Sequence, residues 1–412
     1  MQPAPRLDPD RTRKTIGAVL YILGMLGGGG LLVALFIVMP LFDTDPAAEF
    51  GAMGMGAILA MPALLAYIWI PRFVDRYDPE PWWLLIGALA WGGIAACGFA
   101  AAINTAVGEL AEAVIGPGSG HVVAACVSAP IVEEGFKGLG VLGIYIFMRR
   151  EFDGVVDGVM YAIFVALGFA AIEDIIYYGR ATGAELAGGA GSLGITFALR
   201  GILSPWGHPL YTAMTGIGLG MARETDKPHV RWLAPMGGYF LAVAMHSTWN
   251  TAGTISGALF LIMLPLWFAV VIGFAILVYW LVGRKGKIIR AFLQDEVLMG
   301  FLTVWELNLV TSPAARMRAN ALYGGEEGKR FVDAAARLAL SKWHSARATR
   351  GRLKTVSADM VVPLRQELAV HRANIAARLG RPIEQPQPFN PGGGPPQWMQ
   401  PAPQWVTRRP NW

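Results

Sequence analysis

Three stretches of this chain, residues 15–42, 51–71 and 81–108, contain no aspartate, glutamate, lysine or arginine. A helix needs roughly 20 consecutive apolar residues to cross the hydrocarbon core of a bilayer, so each stretch can span one. Inside lipid the backbone has no water to bond to, which leaves helices and closed barrels as the only crossing structures. A barrel would show alternating segments of about ten residues, whereas these blocks are continuously apolar. Further blocks cover 118–148, 155–178, 195–222, 232–252 and 257–283, and the first four of these carry ionisable groups. The expected fold is therefore all-α, a polytopic bundle of about eight transmembrane helices. With 54% apolar and 15% charged residues, the chain is excluded from the ordinary soluble domains.

Arg11, Arg13 and Lys14 precede the first block as they would a secretory signal. The apolar run is longer than a usual signal and lacks a convincing cleavage site, so a retained span is expected. Lysine and arginine mark cytoplasmic loops. By that rule the N-terminal arm, the 72–80 loop, 149–154 and 222–231 lie inside, alternating with four outside loops, and both termini are cytoplasmic. The expected organisation is a cytoplasmic arm over 1–14, a membrane domain over 15–283, a basic helical region over 284–384, and a disordered Pro/Gly/Trp-containing tail over 385–412. From 284 onward there are 20 basic and 9 acidic residues, against 14 and 20 in the rest, so the basic excess lives in the tail. A solvated basic region near anionic lipid accounts for it, and no nucleic-acid role is expected. Cys97 and Cys126 lie far apart in apolar segments and indicate neither a disulfide framework nor a thiolate metal site.

The informative residues are the ionisable ones inside the blocks, because each costs a few kcal/mol at mid-bilayer unless it has a partner, a wet cavity or a task. Glu133, Glu134 and Lys137 fall on the fourth block, and Asp157, Glu173 and Asp174 on the fifth. Arg200 and His208 fall on the sixth, and His246 and Asn250 on the seventh. At 1.5 Å rise per residue, Glu133, His208 and His246 reach roughly 10 to 20 Å below the outer surface, with Glu173 somewhat shallower. Residues four apart share a helix face, which pairs Glu133 with Lys137 and His246 with Asn250; Glu134 is turned about 100° from Glu133. Singly, the Glu133–Lys137 pair could simply make its helix tolerable in lipid, and a lone histidine could be a satisfied core residue. Asp157 reads as a helix-start residue. Convergence on one depth argues for a shared site. Two imidazoles and a carboxylate can hold zinc with a position left for water, and another carboxylate can act as general base.

Four segments resemble a known family. They are "EEGFK" at 133–137, "GFAAIED" at 168–174, "LRGILSPWGHPLYTAMTGIGLG" at 199–220 and "HSTWN" at 246–250. In order, on successive blocks, they are similar to the PrsW-type intramembrane metalloproteases, relatives of the CAAX-prenyl-protease and bacteriocin-processing superfamily. The resemblance covers about 120–255, and Asp174 stands where the family usually has asparagine. It implies a membrane-embedded, metal-dependent protease in the bacterial plasma membrane, cutting membrane-anchored proteins such as anti-sigma factors on their extracytoplasmic side. Carried onto this sequence, it implies that Glu133 activates the water and Glu134 supports or replaces it. His208 and His246 bind zinc or another divalent metal, with Glu173 as third ligand. Asn250 stabilises the oxyanion, while Lys137 and Arg200, with Asp174 nearby, hold carboxylates in place. An ion- or proton-coupled transporter would also bury such groups but tends to show repeated halves, and no internal repeat is found here. A prenyl-protease-like enzyme acting on lipidated C-termini, and a catalytically dead scaffold, are further alternatives. Nothing in the sequence sets the oligomeric state.

Overall fold

The computed structural model describes residues 9–149, 151–189, 192–323, 325–350, 357–380 and 383. Among them there is no strand, so the all-α expectation holds. The tail expected to be disordered, 385–412, lies outside the described residues. The chain divides into two compact units: Met1–Val74 with Glu80–Leu277, and Asp75–Pro79 with Val278–Trp412.

The first unit opens with α1 (Pro9–Val33) and α2 (Pro46–Tyr67), followed by α3 (Trp82–Ala90) and α4 (Cys97–Ile115), which a π-helical turn joins into one rod. After α5 (Ser119–Val123) a second π turn, Ala124–Ser128, leads into α6 (Ala129–Phe147), and α7 (Val155–Leu186) follows. Next come α8 (Ser192–Phe197), a π turn over Ala198–Leu203, α9 (Gly207–Glu224), α10 (Pro228–Ile255) and α11 (Gly257–Leu298). Local chemistry sets several starts. The Asp45 carboxylate accepts from the Ala48 amide ahead of α2, and Asp157 accepts from the amides of Asp153 and Gly154, the helix-start role its position suggested.

Among the described residues, five helices are long and apolar enough to cross a membrane: Arg11–Phe42, Pro46–Tyr67, Trp82–Ile115, Val155–Leu186 and Gly257–Leu298. The other three predicted blocks are helical too, but they carry the polar and ionisable side chains that count against such a test. The sixth block differs from expectation. It is two helices with a break at Ser204–Trp206, where Pro205 has no amide to give the helical ladder. His208 consequently stands in the first turn of α9, and Arg200 on the π turn before the break.

In the first unit α7 is the central element, buried on all sides from Val155 to Phe169 and packed against α2, α3, α6, α8 and α9. Close approach explains two glycines here. A Cβ on Gly158 would sit 2.2 Å from the Gly216 carbonyl oxygen, and one on Gly216 would sit 2.1 Å from that of Gly158. The glycine-rich run GMLGGGG at 24–30 is likewise a site of close packing: α1 stays helical while Gly28 meets the Ala95 backbone and Gly24 the Trp91 ring. Outward faces of α1, α10 and α11 expose large apolar side chains such as Leu26, Trp232 and Ile262, as a lipid-facing surface requires.

The second unit builds its own core. Leu293, Val297, Leu307, Val310, Phe331, Leu338, Leu364, Leu368 and Ile375 are buried together with Tyr77. They come from the end of α11, α12 (Val304–Thr311), α15 (Glu326–Arg350) and α16 (Val361–Leu379); α13 (Pro313–Met317) and α14 (Ala319–Leu322) are short connectors. Tyr77 donates its hydroxyl to the Thr311 carbonyl, and Arg316 donates to the carbonyls of Arg76 and Tyr77. The loop between α2 and α3 is thereby an integral part of this unit.

Candidate metal centre

Helices α6, α7, α9 and α10 supply one buried cluster. Lys137, fully buried, donates Nζ–H to Glu134 Oε1 at 2.6 Å and lies 3.7 Å from Glu133 Oε2 and 3.0 Å from His208 Nδ1. Its ammonium also sits 4.2 Å over the Phe169 ring. Glu134 is satisfied on both oxygens: Oε2 accepts from Thr212 Oγ1 at 2.8 Å, and Oε1 lies 3.1 Å from His246 Nδ1. Because an ionised carboxylate only accepts, that contact places the proton on His246 Nδ1 and leaves Nε2 with a lone pair. The lone pair faces Glu133, at 3.9 Å from Oε2.

Glu133 is held on one side only. Asn104 Nδ2 stands 3.4 Å from Oε1, and Asn104 in turn accepts from Ser128 Oγ at 2.7 Å. Oε2 is buried without a hydrogen-bond partner. On the opposite side Glu173 Oε2 accepts from Arg200 Nη2 and lies 2.7 Å from His208 Nε2, while Asp174 Oδ1 accepts from Arg200 Nε at 2.6 Å. The two imidazoles stand edge to face with centroids 5.0 Å apart.

Among the described residues, the donors within reach of a single ion are Glu133, His208 and His246, whose ligand atoms all lie within 4.8 Å of one another. Glu173, expected as the third ligand, is not in that group; its Oε2 is bonded to Arg200 and lies against His208. Three features fit a cation. The Glu133 oxygen is orphaned, and His246 is oriented by a carboxylate behind it, the usual support of a metal-bound histidine. Glu133, Glu134, Glu173 and Asp174, counted as ionised, face only Lys137 and Arg200, an excess of negative charge that a divalent ion would cancel. The 3.9 Å gap between Glu133 Oε2 and His246 Nε2 is about half an ångström wider than the edge of a tetrahedral zinc site. His208 is the least prepared ligand, since it gains a lone pair for an ion only by releasing Lys137 or Glu173.

Asn250, expected as the oxyanion donor, is engaged by the backbone. Its Nδ2 donates to the Ala125 carbonyl at 2.9 Å, beside the Ser247 hydroxyl donating to Cys126 at 2.6 Å. A π turn takes carbonyls off the normal helical ladder, and α10 uses these two as anchor points. Sequence reasoning missed Asn104, Ser128, Thr212 and Tyr211. Thr212 had a signal, lying four residues beyond His208 on one face, and Asn104 was a polar residue within a charge-free block.

Residues 80–280 match the family model described as PrsW family intramembrane metalloprotease. Protease PrsW of Bacillus subtilis is 27% identical over 236 residues, which cover 57% of this chain and 94% of that protein. Protease PrsW of Halalkalibacterium halodurans is 28% identical over 38% of this chain and 63% of its own length. That of Clostridioides difficile is 32% identical over 28% and 47%. No solved structure matches the chain. The matched segment contains every helix that contributes to the cluster, and over residues 80–280 the chain is similar to the PrsW family of intramembrane metalloproteases.

Proposed function

We propose that the cluster is the hydrolytic centre, with Glu133, His208 and His246 holding one divalent ion, zinc by the chemistry of its donors. The observation carrying this reading is the buried, partnerless Glu133 Oε2 facing the lone-pair nitrogen of His246, whose other nitrogen Glu134 holds. When bound, the ion supplies Lewis-acid polarisation of the scissile carbonyl and a lowered pKa for water. Glu173 accepts a proton as the water oxygen bonds to the carbonyl carbon. It passes that proton to the amide nitrogen as the C–N bond breaks, leaving a new carboxyl group and a new amine. This exchanges the parts that the resemblance suggested for Glu133 and Glu173. Arg200 fixes Glu173 and Asp174 in orientation; Lys137 balances Glu134, and Glu134 sets the His246 tautomer.

The substrate in this reading is a membrane-anchored protein of the anti-sigma-factor kind. It is cut in the outer half of a bacterial plasma membrane by a chain with both termini cytoplasmic, a membrane domain over 15–283 and a basic region after it. The test uses the purified full chain and a single-span peptide carrying a fluorophore–quencher pair across its outer juxtamembrane segment. Wild type should carry about one zinc per chain and cleave the peptide. His208→Ala and His246→Ala should lose both, whereas Glu173→Gln should keep the metal and lose cleavage. Wild-type cleavage by Glu133→Gln, or zinc retained in both histidine variants, overturns the assignment.

A further inference from the structure

With Asn250 committed to a backbone carbonyl, a hydrolytic site here still needs a donor for the negative charge that develops on the scissile carbonyl oxygen. Tyr211 lies three residues beyond His208 on α9 and is 2% exposed. Its ring stacks on His246, with centroids 5.0 Å apart and planes at 18°, and meets His208 edge to face at 6.2 Å. Trp267 packs behind it, centroid to centroid 5.5 Å. A phenol so placed has one polar atom, and that hydroxyl is buried without a hydrogen-bond partner. Leaving a buried hydroxyl unmet costs roughly 1 to 3 kcal/mol, so a hydroxyl in this position, between the two imidazoles and the start of α9, is suited to a partner that arrives with the reaction.

The hydroxyl also has a definite position. It lies 3.6 Å from where a Cβ on Gly207 would stand, against the first turn of α9, directly after the break at Ser204–Trp206. The amino end of an 18-residue helix carries partial positive charge, which favours an anionic oxygen. A buried donor and a helix amino terminus thus meet beside the two imidazoles.

We propose that Tyr211 is a catalytic residue whose hydroxyl, beside the first turn of α9, donates a hydrogen bond to the scissile carbonyl oxygen as that oxygen becomes anionic. The assignment rests on the hydrolytic reading of the cluster. It moves the oxyanion role from Asn250 to a side chain of α9, and it requires no proton transfer, only donation that strengthens as charge builds.

Tyr211→Phe removes the hydroxyl and keeps the ring, so His246 retains its stacking partner. With the fluorogenic single-span peptide, kcat should fall about 100- to 1,000-fold while KM and bound zinc stay at wild-type values, the loss expected for one oxyanion donor. A peptide analogue with a phosphinate in place of the scissile amide should bind Tyr211→Phe more weakly by a similar factor. A purely structural tyrosine would move neither quantity; kcat within threefold of wild type, or unchanged phosphinate binding, overturns the proposal. Glu133→Gln, run in parallel, separates the two assignments. If it is inactive while Tyr211→Phe is fully active, only the oxyanion role fails; if it cleaves normally, the hydrolytic centre itself is wrong.

Discussion

The two units bury charge in opposite ways. In the second unit, Glu306 accepts from Arg372 Nε at 3.1 Å and Nη2 at 2.7 Å and from the Thr303 amide at 2.8 Å, so both oxygens are used. Glu296 is met likewise by Lys342 and, through two nitrogens, by Arg365. In the first unit, Glu134 is satisfied as thoroughly, but its neighbour Glu133 keeps one bare oxygen and Tyr211 a bare hydroxyl. A buried carboxylate with every lone pair occupied is a structural joint, whereas one left short is prepared for something that arrives later. Adjacent residues on α6 fall on either side of that line.

The contrast can be broken most forcefully at Glu133. Replacing it with glutamine should abolish cleavage together with bound zinc, at unchanged helical content. A comparable loss of fold in circular dichroism would make Glu133 a joint after all. Arg372→Ala should do the reverse, lowering the stability of the second unit by about 3 to 5 kcal/mol because Glu306 is then buried without its partner. Hydrogen exchange across Val361–Leu379 measures it, and native protection there would contradict the pairing. Glu134→Gln lies between these extremes. By loosening the His246 tautomer it should weaken zinc binding about 10- to 100-fold, read by competition with a chromophoric chelator.

The smallest effect concerns Glu327, whose carboxylate is held below its ordinary pKa by the hydrogen bond from His371, at 2.8 Å, with Asn374 adding to it against some burial. A depressed carboxylate contributes stability above its unfolded pKa of about 4.3 and loses it as pH falls through the lower folded value. Exchange protection at the start of α15 should therefore decline more steeply below about pH 4.3 in wild type than in Glu327→Gln. Parallel curves would remove the contribution.

Much of the centre was legible because lipid makes stray charge expensive, so Glu133, Lys137, Glu173, His208 and His246 stood out in otherwise apolar blocks. Helical periodicity paired Glu133 with Lys137 correctly but turned Glu134 away from the site. Periodicity describes one helix, and α6 is enclosed: Glu133 meets Asn104 of α4 while Glu134 meets Thr212 of α9 and His246 of α10. The backbone contact of Asn250 was hidden for a related reason. Its acceptor is a carbonyl released by a π turn, a local widening that no spacing rule foresees. The break before His208 had a visible cause in Pro205, but proline is tolerated inside membrane helices often enough that the block read as continuous.

The five residues 75–79 give the second unit a practical boundary. The family-model match begins at Glu80 and ends at residue 280, so trimming the gene to that window deletes residues 75–79 together with Thr311 and Arg316, to which they are bonded. A cut made only at the far end is worse, since it keeps Tyr77 but strips away the Thr311 carbonyl and the Arg316 guanidinium that hold it. Whoever shortens this enzyme must treat the loop and the tail as one part, to be kept whole or redesigned together.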